Sequence, residues 1–526
     1  MRLPVAAAGL VLSLLLLLGG CTSYSDRQPR TRSGAIADYQ QTNLAQLFSA
    51  AAAEHPGKSG FDLIRRGPQA FNARIALADL ATKSLDLQYY IWEDDATGHI
   101  LAERLVRAAD RGVRVRVLVD DASLGDRDSA IASLDAHPNI EVRIFNPFAD
   151  RAHHFLDFVG DMGRVNHRMH NKTIIADNAV AIVGGRNIGD IYFQVATEAN
   201  YRDLDVAAAG PIVREVSNVF DYFWNGEWAV PIKALADRTY GRADLEAASA
   251  KLRRRIAAED YPYPLDRDVG ELENELITIR SEFVWAPGRI VWNDPARRDG
   301  EAGGAIYRFL YDKLAAVQKE LLIESAYFVL RQRGVDEAKA LVDRGVRVRV
   351  LTNSLASNDV LAAHAGYARH RKELVGNGVE LYEMRADAGT IRKRLFFSRS
   401  RAALHAKAVV FDRQSIFVGS YNLDPRSADI NTEAGLYIES PELAEQLADD
   451  AARGIVRLVS SDLMRARETA GPIAAALGVE VELDDALRER DGGSWQGLLR
   501  SEIQSRFPDE FARWIAGEDL VIGGGE

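Results

Sequence analysis

A histidine, a lysine two residues on and an aspartate five residues beyond that lysine occur twice in this chain, as His170, Lys172, Asp177 and as His405, Lys407, Asp412. Each copy continues into a small-residue turn and an asparagine: Gly184, Gly185 and Asn187, then Gly419, Ser420 and Asn422. A single His-x-Lys would more often be a surface histidine beside a solvated lysine. A second copy with matched flanks makes chance a poor account. Two imidazoles, two ammonium groups and two amides form an anion site with a nucleophile and a proton donor, and without a carboxylate cluster that would call for a metal. A tetrahedral phosphodiester fits this inventory, and no cofactor is expected. With a reference pKa of about 6.5, two histidines can hold opposite protonation states near neutrality, one attacking phosphorus and one protonating the leaving alkoxide. Attack by imidazole gives a phosphohistidine, and the next acceptor decides between hydrolysis and transfer. Lys172 and Lys407 would hold the non-bridging oxygens, with Asn187 and Asn422 as further donors.

Positioning these groups calls for strands. Residues two apart on a strand share a face, so His170 would project with Lys172 and His405 with Lys407. The apolar runs 173–176 and 408–411 support that reading. The repeat extends further, because Arg111-Gly-Val-Arg-Val-Arg-Val-Leu118 recurs as Arg344-Gly-Val-Arg-Val-Arg-Val-Leu351. The offsets agree closely: 344 − 111 = 233 here, and 405 − 170 = 235 for the histidines. Each half reads as a strand (84–92; 320–328), an amphipathic helix (100–110; 335–343), a second strand and then the motif strand. The fold class is therefore α/β: two tandem pseudo-symmetric domains, each a mixed sheet flanked by helices, sharing one active-site cleft. The alternating arginines of the repeated strand read as structural. The aromatic group Phe220, Tyr222, Phe223, Trp224 and Trp228 reads mainly as core, with an acyl groove as the alternative. His153 and His154 carry no spacing signal.

The doubled motif with its Gly-Gly or Gly-Ser and Asn extension resembles the signature of the phospholipase D superfamily. The words Arg168-Met-His-Asn-Lys172 and Gly184-Gly-Arg-Asn-Ile-Gly-Asp190 look most like its bacterial cardiolipin synthase branch. By that resemblance His170 is the nucleophile, His405 the general acid, and Asp177 and Asp412 are buried structural partners. The family orients each histidine through an acidic residue downstream of it. The matching positions are Asp203 for the first, with Asp205 a close competitor, and Glu433 for the second. The implied reaction passes a phosphatidyl group through the histidine to phosphatidylglycerol, with phosphatidylethanolamine as another candidate substrate. A phospholipase D that uses water as acceptor, and an exported phosphodiesterase or nuclease, are the alternatives.

Composition bounds the partners. With 47% hydrophobic and 27% charged residues, the chain is an ordinary globular protein, and its net charge of −11 argues against broad nucleic-acid binding. The basic stretch 392–401 with Phe396 and Phe397 could meet anionic headgroups or form a solvated loop. Arg2, the apolar run from Val5 to Leu18 and then Gly19, Gly20 and Cys21 read as a secretory signal too short for a confident membrane span. Cys21, the only cysteine, resembles the lipidated residue of a bacterial lipoprotein signal. That resemblance implies lipidation at Cys21 and a membrane-anchored lipoprotein of the cell envelope, on the periplasmic face of the outer membrane.

The expected division is a signal at 1–20, a polar tether at 21–45, a first phospholipase D-like domain at 46–234, a linker at 235–285, a second domain at 286–454 and a foreign tail at 455–526. The tail stretches Leu458–Ala470 and Leu487–Gly497 resemble the middle of the histidine phosphatase family, with Arg465 and Glu489 matching a phosphate-binding arginine and an acid. No histidine follows His405, so the tail reads as a fused or truncated fragment unable to form a phosphohistidine by itself.

Overall fold

The computed structural model describes residues 30–149, 162–196, 199–259, 261–262, 270, 272, 280–296, 303–386, 401–453, 458–460, 467, 481–483, 494 and 500–515. The chain forms two compact units, Met1–Gln446 and Leu447–Glu526.

In the first unit, ten strands build or adjoin the first half: β1 (Ser59–Ile64), β2 (Ser84–Tyr89), β3 (Arg114–Asp120), β4 (Ile140–Phe145), β5 (Thr173–Ala176), β6 (Val180–Gly184), β7 (Ala199–Arg202), β8 (Asp205–Ala209), β9 (Ala229–Pro231) and β10 (Val284–Ala286). The second half follows as β11 (Gly288–Trp292), β12 (Glu320–Ser325), β13 (Arg347–Asn353), β14 (Glu380–Met384), β15 (Arg401–Leu404), β16 (Lys407–Phe411), β17 (Ser415–Gly419) and β18 (Ala434–Ile438). One sheet has the order β10-β1-β8-β6-β5-β2-β3-β4-β9 and the other β11-β18-β17-β16-β12-β13-β14. Leaving aside the two edge strands β10 and β9, the two orders are the same. In each half three parallel strands (β2-β3-β4; β12-β13-β14) meet the antiparallel motif strand (β5; β16).

The periodicities explain the elements. The helix Ala96–Asp110 buries Leu101, Leu105 and Ala108 at spacings of four and three against the sheet. Asp95 caps its start by accepting the Gly98 N–H at 3.0 Å. On β3 the alternating valines enter the core, and Arg116 enters the opposite layer. There it pairs with Asp86 at 2.6 Å and lies 4.8 Å over the ring of Phe220. Phe220, Phe223 and Trp224 are fully buried, as the core reading requires, while Tyr222 is exposed. The strand Val284–Ala286, across the expected boundary between the linker and the second domain, pairs with β1 and so extends the first sheet.

Among the described residues of the second unit, Leu458–Ser460 and Val481–Leu483 pair in parallel, and the helices Arg500–Arg506 and Pro508–Ile515 follow. Arg465, Glu489, Cys21, His153, His154 and all but the last residue of the basic stretch 392–401 lie outside the described residues. Among those described, no helix is long and apolar enough to cross a membrane.

Candidate active site

Both motifs sit where their halves meet, and the backbone explains how. The regular strand begins only at Thr173 in the first copy and at Lys407 in the second, later than the alternation predicts. The residues just before are sewn to the opposite half instead. His170 N donates to the Thr432 carbonyl at 2.8 Å, and Thr432 N to Arg168 at 2.9 Å. Symmetrically, β15 pairs with β7, and His405 N donates to the Arg202 carbonyl at 2.7 Å.

That cross-stitching places each acidic residue beside the histidine of the other half. His170 Nδ1 lies 2.8 Å from Glu433 Oε2, and His405 Nδ1 lies 2.5 Å from Asp203 Oδ2. The expected pairing within each half is therefore corrected: the residue after Thr432 is Glu433, the residue after Arg202 is Asp203, and both follow the strand that the opposite motif pairs with. Asp205, the competing candidate, is committed elsewhere, accepting from Arg74 at 2.9 Å and Arg186 at 3.2 Å. With the carboxylates holding Nδ1–H, each Nε2 is the free lone pair.

The small residues make room for these carboxylates. A Cβ on Gly185 would meet Asp203 Oδ1 at 2.2 Å, and one on Gly184 would meet Asp205 Oδ1 at 2.2 Å. Gly419 is as confined, with the Ala434 carbonyl oxygen 2.3 Å from its added Cβ. Ser420 occupies the position equivalent to Gly185 and uses its hydroxyl to donate to Glu433 Oε2. Ser427 donates to the other oxygen, Oε1, at 2.9 Å.

Lys172 and Lys407 are buried, and each ammonium donates to the carbonyl of its own motif histidine. Burial drives both lysine pKa values down, with Glu433 and Asp203 opposing. His170 is pushed down to about 4, first by burial and then by the lysine charges, against the pull of Glu433. His405 is lowered by burial and Lys407, with Asp203 opposing. Burial alone would raise Glu433 and Asp203, but His170 and His405 hold them below the usual carboxylate range. Each half's lysine acts on the other half's histidine, so the two lysines, two histidines and two carboxylates form one electrostatic site.

The asparagines behave differently from one another. Asn187 is already engaged, accepting the Ile91 N–H at 3.2 Å and donating to the Tyr192 hydroxyl at 2.9 Å, so it braces the site rather than offering a free donor. Asn422 Oδ1 is buried without a hydrogen-bond partner among the described residues, as are both amide atoms of Asn171 between His170 and Lys172. Asp177 and Asp412 stay outside the chemistry. Asp177 accepts the N–H groups of Thr82, Lys83 and Ser84, and Asp412 those of Gln318, Lys319 and Glu320. Each closes the turn into the central strand β2 or β12.

Several groups carry no signal in the motif itself. Tyr201 stacks on His405 with centroids 4.9 Å apart, and Tyr192 meets the same ring edge-on at 5.2 Å. Tyr90 packs edge-on against His170 at 5.0 Å. Asp120 accepts Met169 N at 2.8 Å, as Asn353 accepts Leu404 N at 2.7 Å, so each tethers the residue just before a motif histidine. The repeat offset of 233 pairs these two (353 − 120 = 233) and would have exposed them had the repeat been followed two residues further. Burial lifts the Asp120 carboxyl to about 6 in spite of Arg168 at 3.2 Å.

Comparison with known proteins places the chain among families and relatives of known sequence. The family described as cardiolipin synthase, PLD-like domain, matches residues 75–224 and 310–454. The histidine phosphatase superfamily (branch 1) matches residues 430–526. The chain is similar to cardiolipin synthase C of Escherichia coli, with 40% identity over 408 residues covering 76% of this chain and 86% of that protein. It is 31% identical over 443 residues to an uncharacterized protein of Helicobacter pylori, covering 83% of this chain and 88% of that one. Among solved structures, phosphatidylserine synthase of Haemophilus influenzae superposes with a TM-score of 0.52 at 16% identity, over 77% of this chain and 90% of that chain. That last likeness concerns the fold alone.

Proposed function

Since the chain belongs to the family of cardiolipin synthases with PLD-like domains, we propose that it forms cardiolipin by phosphatidyl transfer to phosphatidylglycerol. The observation that carries the reading is the pair of crossed histidine–carboxylate contacts. His170 Nε2 attacks the phosphorus of the donor phospholipid, the bond from phosphorus to the headgroup oxygen breaks, and His405 gives its proton to that leaving oxygen. The free hydroxyl of phosphatidylglycerol then returns a proton to His405 and attacks phosphorus, and the nitrogen of His170 departs. Glu433 stabilises the cationic ring that forms on His170, and Asp203 keeps His405 oriented through both transfers. A low pKa suits His170, which must be neutral to attack. A bound phosphodiester anion offsets the lysine charges that depress His405, which favours its protonated form.

Purified protein given phosphatidylglycerol, with and without phosphatidylethanolamine, is expected to yield cardiolipin detected by mass spectrometry. His170→Ala should abolish it. Phosphatidic acid as the sole product would overturn transfer in favour of hydrolysis.

We also propose that Cys21 is lipidated and holds the protein on the periplasmic face of the outer membrane. The charged start, the apolar run from Val5 to Leu18 and the lone cysteine support this. Cys21→Ala should move the protein from the membrane to the soluble fraction, and unchanged fractionation would overturn the anchor.

A further inference from the structure

The connection from β13 to the helix Leu361–Gly376 inverts the usual distribution of side chains. Its polar residues are engaged by the fold. Ser357 donates to the Met384 carbonyl at 2.9 Å and accepts the Ser354 N–H at 2.9 Å, and Asn358 accepts the Val360 N–H at 2.8 Å. Asp359 accepts from the Tyr201 hydroxyl at 2.8 Å and the Tyr327 hydroxyl at 2.9 Å. Its apolar residues are the ones left in water, with Leu355, Val360 and Leu361 at 60%, 41% and 71% exposure.

The repeat does not require this. At the offset of 233, Val360 and Leu361 correspond to Arg127 and Asp128 in the first half (360 − 233 = 127), where both positions are charged. Arg127 there donates to the carbonyls of Leu124 and Trp92. Val360 also holds the N-cap of its helix without a side-chain hydrogen bond, a position that Ser, Thr, Asp or Asn usually takes.

Location and charge indicate what covers these side chains. Asp359 stands between Val360 and the hydroxyl of Tyr201, whose ring stacks on His405, so the apolar tip lies at the rim of the phosphodiester site. Behind it the helix exposes Arg369 and Lys372, neither in an ion pair among the described residues. Arg369 is eight residues from Leu361, about 12 Å along a helix axis. Aliphatic side chains ahead of cations by that distance suit a bilayer surface, where apolar groups enter about 5–10 Å past the headgroups and cations stay among the phosphates. In a chain of net charge −11, such a local basic group favours anionic lipid.

We propose that Leu355, Val360 and Leu361 form an insertion loop that docks on an anionic phospholipid bilayer and brings the His405 side of the cleft to its substrate. This rests on the phospholipid reading above. In the full chain, Leu355→Ser/Val360→Ser/Leu361→Ser should keep its turnover of dihexanoyl phosphatidylglycerol in free solution. Turnover of dioleoyl phosphatidylglycerol vesicles should fall roughly 10- to 100-fold, the scale set by withholding three aliphatic side chains from an apolar layer. An unchanged ratio of the two rates, or an equal loss on both, would overturn the loop. Leu361→Trp gives a readout independent of catalysis. Its added fluorescence should be quenched by vesicles of phosphatidylglycerol brominated in the acyl chain, and no added quenching would overturn insertion. Quenching without turnover of either lipid by the wild-type chain would instead defeat the synthase reading and leave the loop standing. A lower oligomeric mass in the triple variant, with vesicle turnover intact, would reassign the patch to a contact between copies.

Discussion

Replacing Glu433 by Gln keeps the shape of the side chain and removes the charge that faces His170 Nδ1 at 2.8 Å. In the step that makes the phosphohistidine, the imidazole of His170 becomes cationic as Nε2 bonds to phosphorus. With charge centres about 4 Å apart and an effective dielectric of about 20, the lost attraction is about 4 kcal/mol. At about 1.4 kcal/mol per decade, formation of the intermediate should slow by about 1000-fold. Asp203→Asn removes the equivalent charge beside His405, whose proposed task is to protonate the leaving group. That defect should depend on what leaves. Rapid-quench measurement of phosphohistidine formation would compare phosphatidylglycerol with phosphatidyl-p-nitrophenol, whose leaving group needs no proton. Glu433→Gln should be slow on both substrates, and Asp203→Asn should recover most of its rate on the activated one. The reverse pattern would mean that each carboxylate serves the histidine of its own half, and would refute the crossed assignment.

Gly185→Ala forces a methyl to within 2.2 Å of Asp203 Oδ1, so urea denaturation should show a loss of about 1–3 kcal/mol, together with a rate defect that Asp203→Asn does not worsen. Asp177→Ala orphans the buried N–H group of Ser84 and the part-buried ones of Thr82 and Lys83. It should cost about 3–5 kcal/mol of stability while leaving the KM of the folded fraction unchanged; a selective kinetic defect at wild-type stability would contradict a structural role. His170 titrates near 4 in the folded chain and near its ordinary value when unfolded. The unfolded chain therefore takes up the proton first as pH falls, and stability is lost between about pH 6.5 and 4 by about 3 kcal/mol from this group. In chemical denaturation at pH 7 and pH 4.5, His170→Asn should lose less on acidification than the wild type. An equal loss would refute the depressed value.

That the two halves share one mixed α/β unit was legible in the repeat, because the Arg-Gly-Val-Arg-Val-Arg-Val-Leu strand and the motif strand recur at nearly equal offsets, but the order of strands within each sheet was not. The identity of the clustered groups was legible for the same reason. What could not be read was the partner of each histidine. Downstream position suggested Asp203 for His170, yet the pairings that decide it, His170 with Thr432 and His405 with Arg202, are long-range backbone contacts with no local pattern. Asn187 shows the same limit. Its place after Gly184 and Gly185 marks it as part of the site, but only the fold shows its amide spent on Ile91 and Tyr192. The late start of β5 has a physical cause of that kind too, since a backbone N–H given to the other half cannot also serve its own sheet.

Each half is thus a complete fold but an incomplete site. The first supplies His170 together with the carboxylate that orients His405, and the second supplies His405 together with the carboxylate that orients His170. A small rotation of one half against the other would lengthen both histidine–carboxylate contacts at once, because both span the same interface and are carried on strand segments hydrogen-bonded across it. The nucleophile and the acid are consequently in register together or not at all. That coupling suits the proposed reaction, in which His405 first donates a proton and then accepts one while His170 holds the phosphatidyl group. The different residues at the equivalent positions, Gly185 and Ser420, do not break it. One leaves space for Asp203 and the other adds a donor to Glu433, so that both carboxylates remain fixed while serving histidines with different tasks.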